Sequence, residues 1–322
     1  MRYKILTAAI FAISAGGVNA KTIWQDDFVS MDLYQVNGEF SYSYLGENFG
    51  ADEIGVNDGS LLSPKTEGKS EYDLSMIGLS YSYYFNGNDF IKGRLGTNFS
   101  NDVTVQESNF LRNQTNPNAG LQEAFAFESN SNNARKNEFE FNFGTTAKSY
   151  NSHFDMFMGL FLHTKEFETK SVEVKKNTYD IPVYFNEGNY LETYALDYGI
   201  NVGFDYKRKF SKNLFWNIGA TFTPYMKHQT EIEYQNRQDP LQPYYVEMDG
   251  DGWGASLKTG LSYDITDNLQ TTLFYRYYQN SIDGEADMKY KNLNNEQYSV
   301  NKDMEELENK YHSYGISLKY YY

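Results

Sequence analysis

The chain is built of short segments in which apolar and polar residues alternate. Tight turns and long polar loops connect these segments in strict alternation. In the last segment, residues 310–322, Tyr, Ile and Leu take every second position after residue 313, and Ser, Gly or Lys take most of the others. A period of two indicates a β-strand with one apolar face. Tight turns at residues 86–88 and 211–213 alternate with polar stretches such as 100–136 and 165–189. This segregation of short and long connections is typical of a transmembrane β-barrel.

We therefore predict an all-β fold, a transmembrane antiparallel up-and-down β-barrel of about ten strands, with residues 21–322 as one domain. Twelve strands are the alternative, because the loop pieces 230–234 and 244–247 are themselves strand-like. We place the first strand over residues 36–44, after a polar lead-in at residues 24–30. Its apolar face would carry Val36, Phe40 and Tyr42, and Glu39 would lie on the opposite, inward face.

Composition is compatible with this fold. The mean hydropathy is −0.67, and after residue 20 no apolar run approaches the roughly 20 residues of a membrane helix. Barrel strands show only alternate residues to lipid, so they do not raise the average. Aromatic residues make up 17% of the chain, which suits interfacial rings. Cysteine is absent, so the chain forms no disulfide bonds.

Residues 1–20 have the three regions of a secretory signal peptide. Arg2 and Lys4 are basic, residues 5–15 are apolar but too short to span a bilayer, and residues 18–20 form a small-x-small cleavage site. Loss of the two basic residues takes the formal net charge from −15 to −17. Such an acidic protein is not suited to nucleic acid, and we expect none as a partner.

The closing segment also resembles the last strand of Gram-negative outer-membrane barrels, although that strand usually ends in Phe and this chain ends in Tyr322. The resemblance implies localisation in the cell outer membrane after cleavage near Ala20. It also implies contact with outer-membrane lipid and lipopolysaccharide, and recognition of the last strand by the barrel-assembly machinery. Length, strand number and loop rhythm are similar to those of the omptin outer-membrane proteases over most of the mature chain.

The omptin active site does not carry over. That family uses two Asp spaced i, i+2 in one loop and an Asp-x-His pair in another. None of the four histidines here has Asp two residues before it, and the one Asp-x-Asp is Asp249-Gly250-Asp251. The motifs of outer-membrane phospholipases and of Gly-x-Ser-x-Gly hydrolases are absent too. We predict no catalytic residue and no cofactor.

Charged residues fall on the inward face of several predicted strands. We expect Lys92 and Arg94 to pair with Glu138 and Glu140, and Glu39 to meet Lys319 where the barrel closes. The His163–Asp197 contact is read as structural rather than catalytic, because no nucleophile accompanies it. The predicted lumen charges are Glu39, Lys92, Arg94, Glu138, Glu140, Asp197, Asp205, Lys258, Arg276 and Lys319. They indicate either a self-neutralised lumen or a selective path for a small molecule.

Residues 247–252 offer one weak metal candidate. Glu247, Asp249 and Asp251 present spaced oxygens that suit Ca²⁺, but the Glu that ends an EF-hand loop is missing, and an acidic loop is the simpler interpretation.

Three functions are compatible with the sequence. The first is a narrow, porin-like channel or transport barrel with a charged lumen. About ten strands are too few for a wide diffusion pore. The alternative is an adhesin or interaction barrel at the cell surface, which would act through acidic, aromatic extracellular loops on an unknown ligand. An omptin-like or lipid-modifying enzyme has the least support.

The signal peptide gives a direct prediction. The protein recovered from membranes should begin at Lys21, because the cleavage site follows Ala20. N-terminal sequencing or intact mass would test this. A mature chain that retains residues 1–20 would contradict it.

Overall fold

The computed structural model describes residues 27–45, 49–50, 61–85, 88–113, 121–131, 133–169, 172–177, 190–235, 244–291 and 297–322. The predicted signal peptide lies outside these residues. Within the described chain, the regular elements are β-strands. A search of the same residues finds no helix with the length and apolar character needed to cross a membrane.

Ten long strands form one antiparallel sheet, and three shorter strands extend it. The ten are β1 (Phe28–Leu45), β3 (Leu61–Phe85), β4 (Asp89–Asn113), β6 (Asn133–Lys148), β7 (Ser152–Thr169), β9 (Tyr190–Lys209), β10 (Leu214–Gln235), β11 (Tyr244–Asp264), β12 (Leu269–Lys291) and β13 (Gln297–Tyr321). The short ones are β2 (Phe49–Gly50), β5 (Leu121–Ser131) and β8 (Val172–Asn177).

The sheet closes into a barrel where the two ends of the described chain meet. β1 pairs with β13 from Phe28↔Tyr321 onward, and its other edge pairs with β3. β4 pairs with β6 through its first part and with β5 through its second part. The predicted ten-strand antiparallel barrel is therefore confirmed. Residues 230–234 and 244–247 are paired ends of β10 and β11, not an additional pair.

Polarity inverts along the barrel strands. Near the end with the tight turns, which we call the short-turn end, outward side chains are apolar and inward ones are polar. On β13, for example, Tyr314 and Ile316 are exposed, whereas Ser313 and Ser317 are buried. Toward the opposite, long-loop end, outward residues become charged and inward ones apolar. The exposed apolar belt includes Leu33, Tyr81, Leu95, Phe141, Met158, Leu160, Ile200, Leu257, Leu273 and Ile316.

This inversion corrects the prediction for the first strand. Val36, Phe40 and Tyr42 are all buried inside the barrel rather than facing outward. The strand begins earlier, at Phe28, so the predicted polar lead-in is partly membrane strand, and Leu33 faces outward there. Residues 36–44 belong to the long-loop half, where apolar residues point inward.

A contiguous hydrophobic core fills the long-loop half of the interior. Side chains from all ten barrel strands contribute to one buried cluster. Two tyrosines cover glycines on a neighbouring strand: a Cβ at Gly68 would lie 1.9 Å from Cζ of Tyr42, and one at Gly38 would lie 2.5 Å from Cζ of Tyr72. The most buried members include Phe40, Leu74, Met76, Phe167, Met226, Ile232, Met248, Ile282 and Leu307. The core lies across the barrel lumen.

The inversion predicts position-dependent tolerance of charge. Leu160→Arg or Leu257→Arg should destabilise the barrel by roughly 2–4 kcal/mol, because each places a cation in lipid near the midplane. Gln229→Arg, an outward position of β10 toward the long-loop end, is the matched control and should be nearly neutral. Urea unfolding in liposomes measures both. Equal losses at Leu160 and Gln229 would contradict the assigned belt.

Candidate functional site

The predicted lumen charges, apart from Glu39, lie inside the barrel. Eight of them line one cavity of about 120 Å³ in the short-turn half: Lys92, Arg94, Glu138, Glu140, Asp205, Lys258, Arg276 and Lys319. Asp197 is also buried, closer to the hydrophobic core. The period-two pattern thus predicted that these side chains point inward, because it assigned alternate residues to the correct faces of six strands: β4, β6, β9, β11, β12 and β13.

Arg94 is at the centre of this charged network. The register places it directly opposite Glu140 on β6, and its Nη1 lies 3.6 Å from Glu140 Oε1 and 3.5 Å from Glu138 Oε2. Its Nε lies 3.8 Å from Asp32 Oδ2. Arg276 reaches the same Glu140 from β12, with Nη1 3.5 Å from Oε1. Several partners for each charge offset the cost of removing it from water.

Lys136 also belongs to the charged network and lies on the short-turn side of the hydrophobic core. It is fully buried, its Nζ lies 2.9 Å from Glu138 Oε1, and it sits 4.0 Å from the ring centre of Tyr311. The Tyr34 hydroxyl donates to Glu138 Oε2 at 3.0 Å. The sequence reasoning missed Lys136, because it fell at the edge of a predicted loop. It missed Asp32 and Tyr34 because the first strand was placed too late.

Lys92 does not pair with the carboxylates of β6. It faces Asn142 in the register, and its Nζ instead lies 3.1 Å from Asp205 Oδ2 on β9. This pair forms across the lumen, between strands that are not neighbours in the sheet. Strand parity gives no information on such contacts, since they depend on barrel radius and strand tilt.

Glu39 is a correction. It points outward, toward Lys69 on β3, with Oε2 2.9 Å from Nζ. Its partner in the register of β13 is Lys310, whereas Lys319 lies opposite Ser30. The predicted Glu39–Lys319 closure pair is therefore wrong. The physical reason is again the inversion, because Glu39 lies in the half where polar side chains face out.

His163 and Asp197 lie opposite each other on β7 and β9, but Asp197 makes its contacts elsewhere. Its Oδ1 lies 2.5 Å from His228 Nδ1, and its Oδ2 accepts from Lys165 Nζ at 3.4 Å. His228 Nε2 also contacts the Thr230 hydroxyl. This Asp-His-Thr series is sealed by the surrounding core, with His228 only 1% exposed. It holds β9 and β10 together and offers no access for a substrate.

A second charged feature lies beyond the belt, on the outer surface of one side of the barrel. Carboxylates occupy outward positions of β7, β9, β10, β11 and β12, and we call this surface the acidic wall. Its members are Glu166, Glu168, Glu192, Glu231, Glu233, Glu247, Asp249, Asp251, Asp283, Glu285 and Asp287. Sequence reasoning found only Glu247, Asp249 and Asp251 here, since the rest become neighbours only when the strands pair.

The acidic wall is arranged in rows of like charge. Glu168 faces Glu192, which faces Glu233. In the adjoining row, Glu231, Glu247 and Asp287 face one another across three strands. Directly opposed like charges are destabilising. Burial raises the pKa of Glu192, and the neighbouring carboxylates of Glu233, Glu168 and Glu166 raise it further.

The three carboxylates of the weak calcium candidate do not converge in the structure. Glu247, Asp249 and Asp251 follow one another at outward positions of β11, so each faces a carboxylate of β12 rather than the other two. Among the residues that the structure describes, no group of three or more His, Asp or Glu side chains is arranged to hold a metal ion.

Comparison with solved structures identifies the architecture. The outer-membrane protease OmpT from Escherichia coli superposes with a TM-score of 0.69 at 11% identity, covering 95% of this chain and 99% of that one. The outer-membrane protein OprG from Pseudomonas aeruginosa covers 92% of this chain with a TM-score of 0.34 at 10% identity. No protein-family model matches, and no curated protein matches by sequence.

The fold is thus that of an outer-membrane β-barrel, as the closing strand indicated, and the architectural resemblance to omptins is confirmed. At 11% identity the likeness concerns fold alone. The Asp-x-His pair of the omptins has no counterpart at His228. The residue two positions before this histidine is Met226, which is fully buried beside Tyr278 and Asn280.

The charged network predicts strong coupling between Arg94 and Glu140. Arg94→Met or Glu140→Gln alone should cost roughly 3–5 kcal/mol, because each orphans buried charge. The double variant should cost less than the sum by about 0.5–3 kcal/mol. A double-mutant cycle on unfolding free energies measures this, with the exposed Lys69–Glu39 pair as control, where coupling should stay below about 1 kcal/mol. Additivity at Arg94 and Glu140 would refute the contact.

Proposed function

We propose that this protein resides in the outer membrane and acts at the cell surface as an interaction barrel, and that its acidic wall binds a cationic macromolecule such as a basic peptide or protein. In outer-membrane barrels the short turns face the periplasm and the long loops face outward. With that orientation, the acidic wall stands above the lipid on the extracellular side.

The observation that carries the proposal is the row arrangement of the carboxylates. In a row such as Glu231, Glu247 and Asp287, carboxylates lie directly opposite one another, an arrangement that is unfavourable for like charges. Lys227 is one cation of the wall, and its Nζ lies 3.1 Å from Asp251 Oδ1. A cationic partner would relieve this repulsion, and a single-sign surface would also accelerate its arrival.

The channel alternative has less support. The lower lumen is charged, as a selective path requires, but the hydrophobic core described above lies across the barrel with contributions from every barrel strand. Lys136 and Glu138, just below the core, are almost fully buried. Conduction would require these side chains to move apart. Planar-bilayer recordings should therefore show no steady porin-sized conductance.

Neutralising one row tests the interaction function. The variant Glu231→Gln, Glu247→Gln, Asp287→Asn should bind fluorescent oligolysine about tenfold more weakly than the native barrel in proteoliposomes, if each charge contributes about 0.5 kcal/mol. Binding by the native barrel should fall steeply with added salt. The matched control is Glu71→Gln, Asp73→Asn, Asp102→Asn on β3 and β4, which lie on another side of the barrel.

Unchanged oligolysine binding in the row variant would overturn the proposal. Saturable binding of Mg²⁺ with no preference for cationic peptide would assign the wall to inorganic cations instead.

The repulsion between opposed carboxylates also predicts that Glu192→Gln raises barrel stability at pH 7 by roughly 0.2–1 kcal/mol, because it removes opposed like charges. A carboxyl with a raised folded pKa loses stability as pH rises through that pKa, so the gain should disappear in acid.

A further inference from the structure

The lumen near the short-turn end carries more positive than negative charge, although the protein as a whole is acidic. A second cavity of about 130 Å³ adjoins the one already described, and Lys92, Lys258 and Lys319 line both. We call the two adjoining cavities together the vestibule. Lys207 also lines this second cavity, in which the carboxylates are Asp155 and Asp205.

The carboxylates around the vestibule already have partners. Asp205 lies 3.1 Å from Lys92 Nζ. Asp155 Oδ1 lies 2.6 Å from His153 Nε2, and its Oδ2 accepts from the Tyr84 hydroxyl at 3.0 Å. Farther in, Arg94 and Arg276 engage the carboxylates of Asp32, Glu138 and Glu140.

Two ammonium groups are left over. Lys319 Nζ lies 3.9 Å from the ring centre of Phe28, and Lys258 Nζ lies 5.1 Å from that of Phe274. Among the described residues, neither has a carboxylate oxygen within 4.0 Å. Lys207 Nζ donates to the Gln270 amide oxygen at 3.0 Å. Lys258 and Lys319 line the same two cavities, so their like charges repel each other, and an anion between them would offset that repulsion.

We propose that the vestibule binds a small oxyanion of phosphate chemistry, bearing two negative charges. The two unmatched ammonium groups suit a dianion, and charge-assisted hydrogen bonds from lysine are strong. Ser317 lines the same space and offers a neutral hydroxyl donor, whereas Asn217 and Ser262 hydrogen-bond to each other at 2.6 Å. The hydrophobic core lies toward the extracellular end, so the anion enters from the periplasmic end. This site does not depend on the acidic wall.

Calorimetry with inorganic phosphate on the full mature barrel in detergent tests the site. Saturable binding is expected, together with a phosphate-dependent rise in Tm. Lys258→Gln with Lys319→Gln should weaken phosphate binding about tenfold or more. Lys258→Arg keeps the charge and should retain binding. The matched control is Lys212→Gln, an exposed lysine in a tight turn at the same end, which should bind as the native barrel does.

The comparison of anions adds specificity. Chloride at equal ionic strength should not compete, whereas a phosphate monoester small enough for the vestibule should. Saturable binding of inorganic phosphate that the monoester does not displace would restrict the ligand to the free ion. Absence of saturable phosphate binding in the native barrel would overturn the proposal. So would equal affinity in the native and doubly neutralised barrels, since the lysines would then have only a structural role.

Discussion

The strands of this barrel cross two solvents, and the change of solvent governs the arrangement of nearly every side chain. In the belt, lipid requires apolar residues outside and leaves a polar interior. Beyond the belt, water covers the outer face, so the apolar residues turn inward and pack as in a soluble protein. The strand backbone does not change at this transition. Only the alternation of residue types is inverted, and hydrogen bonding continues through it.

The charged network lies where the two regimes meet. Lys136 illustrates the constraint: its ammonium group is buried between the carboxylate of Glu138 and the ring of Tyr311, just below the core. Above it, water is excluded by packing; below it, Lys258 is accessible to the vestibule. Such buried ion pairs add little net stability over apolar packing, but removing one partner alone leaves the other as an unpaired buried charge. The network therefore fixes which side chains meet across the lumen.

Period-two patterning was sufficient for the fold and for the facing of most membrane strands. Leu160, Ile200 and Leu257 are outward and exposed as their parity required. The pattern failed at β1, because an inverted segment such as residues 36–44 has the same period as a membrane strand. It also failed for Lys92 and Asp205, whose contact spans the lumen. The acidic wall could not be predicted either, because its rows depend on the register between strands that are distant in sequence.

The seam between β1 and β13 has a consequence for assembly. Phe28 pairs with Tyr321, so the first and last strands of the described chain hydrogen-bond to each other along most of their length. Until β13 is in place, β1 has an open edge, and an open edge is not tolerated in lipid. Contacts of such large sequence separation form late and slowly. Closure of the barrel is therefore a single terminal event. A chain truncated within β13 would fail to form the closed barrel, rather than lose one strand from it.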